Sequence, residues 1–168
     1  MKYIKSLEES YLLSNRAPLY HLTDIMSLYD MLSDNKLKRT EFDNIFKDKV
    51  INMVSLTRNS DLNLSYYKEF LDVVIELDRD MLNSKYKIIP YDFFINNKKE
   101  IHAKSSIMRK SPFEFEEIIL KDIDNVISYI ISLNFKDEGI YNPIFNQILK
   151  LIENKNIKIK KDGTEIVI

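Results

Sequence analysis

The chain has no cysteine and only two glycines among 168 residues, and its net charge is close to zero. Without cysteine there are no disulfides, zinc-thiolate sites, iron–sulfur clusters or thiol nucleophiles, and the composition suits a reducing compartment. With so little glycine, neither a Walker A loop nor a GxGxxG turn can be built. Both need several glycines close together so that the backbone can approach phosphates. A bound nucleotide would have to be held by side chains and by amides at the ends of strands or helices. The net charge of -1 supplies no global field that would draw in nucleic acid or an anionic membrane. No apolar run approaches the ~20 residues that span a bilayer. Lys2 and Lys5 are not followed by an apolar signal-peptide core. The expectation is a cytoplasmic protein with no membrane partner.

Metal and hydrolase chemistry find no support either. There is no HExxH pair and no EF-hand loop. Asp72, Asp78 and Asp80 read as solvated strand ends, so no metal is expected. A serine-hydrolase elbow lacks the glycines that its sharp turn needs.

What is present suits one globular domain over residues 1–168. Hydrophobic residues make up 45% and charged residues 30%, an ordinary globular balance. A chain of this length buries roughly two-thirds of its unfolded surface and needs no staple. Leu19 to Leu22 reads as a buried strand, with Thr23 or Asp24 as the N-cap of a following helix. Ile25, Leu28, Tyr29 and Leu32 give that helix one apolar face. Val50 to Thr57 and Asp72 to Asp78 read as strands, and Tyr86 to Tyr91 as a short one closed by Pro90. Residues 96–111 are polar and lysine-rich, a candidate surface loop. Phe113 to Glu117 alternates aromatic and acidic residues. The spacing of Ile119, Ile123, Val126, Ile127 and Ile130 predicts a helix, and Ile144, Ile148, Leu151 and Ile152 predict another. Asp162-Gly163 between two alternating runs predicts a hairpin. The order of elements lacks regular βαβ alternation, so the expected class is α+β. The core is placed at about residues 18–133, with a C-terminal helix and hairpin at 141–168.

Three segments carry candidate chemistry. In the first, Tyr20-His21-Leu22-Thr23, strand alternation aims His21 and Thr23 to one side. An imidazole beside a hydroxyl can bind a ribose or a carboxamide, although a histidine between apolar neighbours also serves as a structural hydrogen-bonding group. In the second, Ser55-Leu56-Thr57-Arg58, Ser55 and Thr57 offer hydroxyls, and the planar fork of Arg58 suits a phosphate or carboxylate. The bland alternative is a surface arginine at a strand end. In the third, Glu114 and Glu116 share one face of a strand. Two like charges there raise each other's pKa. Such a carboxylate can polarise a sugar hydroxyl and stabilise positive charge at an anomeric carbon. Glu117 reads more simply as an acid favoured near a helix N-terminus.

The run Leu19-Tyr20-His21-Leu22-Thr23-Asp24, then a helix, then Asn35-Lys36-Leu37, resembles the opening of the DarT-like group of ADP-ribosyltransferases. Ser55-Leu56-Thr57-Arg58 and Phe113-Glu114-Phe115-Glu116-Glu117 look like the later arginine and glutamate segments of related phage and bacterial toxin-type proteins. The glycine usual after the first helix is replaced by Asn35-Lys36. The resemblance spans roughly residues 18–130. It implies an ADP-ribosyltransferase-like split, mixed or antiparallel sheet with flanking helices. It also implies transfer of ADP-ribose from NAD, used as substrate, to a protein or nucleic-acid acceptor. His21, Thr23, Ser55, Thr57 and Arg58 would then bind NAD, and Glu116 or Glu114 would be catalytic. Lys104, Arg109 and Lys110 would meet an anionic acceptor. The alternative is an inactive NAD- or nucleotide-binding or protein-interaction module of the same fold.

Overall fold

The structure, a computed structural model, describes residues 17–44, 49–58, 60, 71–90 and 116–167. It is a mixed α+β arrangement built on a 9-stranded sheet. The strands are β1 Leu19–Thr23, β3 Thr40–Asn44, β4 Lys49–Thr57, β5 Val73–Leu77, β6 Ile89–Pro90, β7 Glu116–Ile119, β9 Ile130–Phe135, β10 Lys158–Lys161 and β11 Thr164–Glu165. Their order is β11-β10-β9-β5-β1-β4-β7-β6, with β3 paired to β4 off this path. β10 runs parallel to β9, and the other pairings are antiparallel. A separate two-stranded ribbon joins β2 Lys36–Leu37 to β8 Ile123–Asp124.

β5 lies between β1 and β9, and four of its five residues are buried. A central strand covered on both faces has no place for polar alternation, which explains the run Val73-Val74-Ile75. β1 is laddered to β5 along its whole length, from Leu19↔Leu77 to Thr23↔Val73. Its other edge is different. There, among the described residues, β1 meets β4 at the one pair Tyr20↔Thr57, so the sheet is nearly parted along this line. β4 also changes partner along its length. Residues 49–53 pair with β3, and 54–57 pair with β7.

Helix α1, Ile25–Ser33, starts where the Asp24 carboxylate accepts the amides of Met26 and Ser27, both at 2.9 Å. It buries Ile25, Leu28, Met31 and Leu32 against the sheet. It stops at Asn35, whose φ of 48° is left-handed. Asparagine tolerates that region better than most residues, so Asn35 can fill a place where glycine is usual. Helix α2, Arg79–Lys85, is capped by Asp78. Helices α3, Asp137–Ile140, and α4, Phe145–Leu151, follow β9.

Residues 119–130 correct the expected helix. They form the end of β7, then β8, then a 3-10 turn at Val126–Tyr129, then the start of β9. The apolar spacing fits a helical period, but Asn125 sits at φ 55°, which ends any helix there. Ile119, Ile123, Val126 and Ile130 are buried through strand and turn instead, and Ile127 is half-buried.

One large core holds Leu19, Leu28, Ile75, Leu77, Ile119, Leu133, Phe135, Ile148 and Ile159. A smaller one on the other side of β4 and β7 holds Ile51, Met53, Ile89 and Ile118. Adjacent residues Ile118 and Ile119 thus enter different cores, as period-2 alternation requires. The C-terminal segment belongs to the main core: Phe145 packs edge-on against Phe135 at 5.0 Å, and β10 extends the sheet from β9.

Candidate functional site

The His, Arg and Glu segments fall on neighbouring strands. β1 carries His21 and Thr23, β4 carries Ser55 and Thr57 and ends at Arg58, and β7 opens with Glu116. Register links them crosswise: Tyr20 pairs with Thr57, and Thr57 with Glu116.

His21 is half-buried beside the line where β1 and β4 part. Its Nδ1 lies 2.9 Å from the Ser55 carbonyl oxygen. A carbonyl only accepts, so Nδ1 carries the proton, and the neutral ring presents Nε2 as an acceptor. Nε2 has no hydrogen-bond partner among the described residues. Burial holds the imidazole below its ordinary value of 6.5, against a smaller upward pull from the Ser55 carbonyl. The ring is therefore neutral at physiological pH. Thr23 and Thr57 are buried, and Ser55 is half-buried.

Arg58 lies inside the protein, at 3% exposure, with its guanidinium on a carboxylate. Nε donates to Glu117 Oε1 at 3.0 Å, and Nη2 contacts the same oxygen. Glu117 is 2% exposed and takes a second cation, Arg79, the first residue of α2. Arg79 Nη2 donates to Oε1 at 2.9 Å. Its Nη1 lies 2.8 Å from Oε2 as an ion contact, outside hydrogen-bond geometry, and donates to the Ala17 carbonyl at 3.4 Å. Glu117 is therefore a buried strand residue and not the helix-start acid that its position suggested. Sequence reasoning missed Arg79 altogether. One signal was available for Glu117: it alternates with Phe113 and Phe115, hence toward a core, and a core carboxylate needs cations.

Glu114, Lys104, Arg109 and Lys110 lie outside the described residues, as does the side chain of Glu116. Two surface hollows occur elsewhere. One, of about 400 Å³, is lined by Lys36, Arg39, Lys85 and Lys121 with Asp122 and Asp124. The other is lined by Asn35, Asn125 and Lys155 among others. Neither touches His21, Thr23, Ser55, Thr57 or Arg58. Among the described residues no cluster of three or more metal-ligating side chains is found, and no helix is long and apolar enough to cross a membrane.

No model of a known protein family matches the chain, and no curated protein matches it.

Proposed function

We propose that the protein is an NAD-dependent ADP-ribosyltransferase that modifies a macromolecular acceptor, protein or nucleic acid. The observation that carries this reading is the adjacency of β1, β4 and β7. It gathers segments 34 and more residues apart in the chain along the line Tyr20, Thr57, Glu116. The resemblance of those segments to the DarT-like group supplies the chemistry.

In this reading NAD lies against the parting of β1 and β4. Neutral His21 accepts a hydrogen bond at Nε2 from a hydroxyl of the nicotinamide-side ribose or from the carboxamide. Thr23 shares its face of the sheet, while Ser55 and Thr57, in register with Tyr20, stand on the opposite face along the same parting. Glu116 or Glu114 accepts from the ribose 2'-OH and stabilises the oxocarbenium-like centre as the C1'–N bond breaks. The bonding electrons leave with nicotinamide. An acceptor nucleophile attacks C1' and releases its proton to solvent or to a carboxylate. Arg58 orders this region from within through Glu117, in place of a direct grip on the pyrophosphate.

The burial of Arg58 also favours a second reading, an inactive NAD- or nucleotide-binding or protein-interaction module, because it withdraws the one cation assigned to the phosphates. Labelled NAD incubated with separate protein and nucleic-acid fractions distinguishes the two. Transfer by the wild type that disappears in Glu116→Gln, Glu114→Gln or His21→Ala supports the enzyme. Binding without transfer or hydrolysis supports the module. No binding at millimolar NAD sinks both.

A further inference from the structure

We infer that Arg79 is a positioning residue for the proposed site, acting through Glu117 and Arg58. This rests on the transferase reading above.

Arg79 reaches two places with one guanidinium. It holds Glu117 in β7 and the carbonyl of Ala17, which lies just before β1. Glu117 in turn holds Arg58, which directly follows β4. The cluster therefore ties the same ends of β1, β4 and β7 at which Tyr20, Thr57 and Glu116 are registered. Two of its members sit one residue beyond a site position: Arg58 follows Thr57, and Glu117 follows Glu116.

Main-chain ladders alone leave this corner under-determined. Among the described residues β1 and β4 share one pair, Tyr20↔Thr57, whereas β4 and β7 are laddered from Val54 to Thr57. Two buried charged groups and a third that is partly buried are a costly way to fill a core, and apolar side chains often do as well for stability. What a forked cation adds is directional: it fixes distances between segments that share few backbone bonds.

The base of Arg79 is itself held. The Asp78 amide donates to the Tyr129 carbonyl at 2.8 Å, and the Asp78 carboxylate accepts the Met81 amide at 2.9 Å. The guanidinium is thus delivered from a pinned helix start. A carboxylate that must meet a 2'-OH in the transition state is sensitive to displacements well below an ångström, whereas ground-state binding of a large dinucleotide is spread over many contacts. Loosening this corner therefore lowers kcat more than it raises KM.

The test measures nicotinamide release from NAD in the full chain for wild type, Arg79→Lys and Arg79→Gln, with thermal unfolding followed alongside. The expected result is a fall in kcat of roughly tenfold or more, with KM for NAD held within about twofold. Arg79→Lys remains folded but does not restore kcat, because a single ammonium cannot bridge both partners as the fork does. Unchanged kcat in both variants overturns the inference. So does a loss confined to KM, a loss that tracks the unfolded fraction, or failure of both variants to fold. A wild type without turnover ends the transferase reading and this inference with it. An active wild type with fully active Arg79 variants ends this inference alone.

Discussion

Arg58 and Glu117 meet across the ends of β4 and β7, at 3% and 2% exposure, and form the most deeply buried ion pair among the described residues. Removing one partner strands the other charge without water. Arg58→Met is expected to lower stability by about 3–5 kcal/mol, and Glu117→Gln by at least as much, because two guanidiniums then face each other. Urea unfolding of the two variants measures this. A loss under about 1 kcal/mol for either would mean that water reaches the pair.

His21 gives the protein a pH dependence of known sign. Burial lowers its folded pKa below the unfolded 6.5. Between the folded value and 6.5 the unfolded chain binds a proton that the folded chain refuses. This contribution is complete above 6.5 and is lost as pH falls through that window, with a slope of at most about 1.4 kcal/mol per pH unit. His21→Asn keeps a donor near the Ser55 carbonyl and cannot titrate. Its stability is expected to stay flatter than wild type across the window. Identical slopes in the two proteins would place the titration elsewhere.

Asp122 acts in a separate and more acidic window. It accepts the Arg39 amide and Nε, both at 3.0 Å, and lies 3.1 Å from Lys36 Nζ. These donors, the Arg39 amide first, hold its pKa down to about 2 from 3.8. Stability from Asp122 is present above 3.8 and disappears as pH falls toward 2. Asp122→Asn keeps an acceptor for the amide but loses the charge, so a cost of about 1 kcal/mol is expected at this partly exposed site. A carboxyl titration followed by NMR reads the pKa directly, and a midpoint near 3.8 would contradict the assigned contacts.

The C-terminal helix shares the main core through Phe145 and Ile148, and Ile159 of β10 joins them. Ile148→Ala is expected to cost about 2–5 kcal/mol. Truncation before residue 157 is expected to abolish cooperative unfolding, because it strips β9 of a parallel neighbour and uncovers Phe135. A truncated chain that melts like the intact one would show that the segment is an appendage.

Much of this architecture is readable from short stretches of chain. Val50 to Thr57 and Asp72 to Asp78 are strands because β-branched runs bounded by polar residues have few other options, and β4 and β5 match them closely. Asp24 caps α1 and Asp162-Gly163 turns the last hairpin, with φ of 46° and 82°, because those preferences act within a few residues. The stretch from Ile119 to Ile130 misleads for the same reason. Its apolar spacing satisfies a helical period, and only the neighbours of β7 and β9 in the sheet make strand and turn the better way to bury it.

The candidate site divides along the same boundary. His21 beside Thr23, and the hydroxyls of Ser55 and Thr57, follow from alternation along single strands. That β1, β4 and β7 lie side by side does not, since strand order joins residues far apart and local preference carries no record of it. The charge cluster was further out of reach. The excess of like charge near Glu116 and Glu117 is visible in the chain, but which acid is buried, and which cations meet it, depends on what stands across the sheet. A carboxylate can sit inside a protein only where fixed cations repay its lost hydration. Arg58 and Arg79 come to Glu117 from a strand end and a helix start, and only the folded chain brings those two places together.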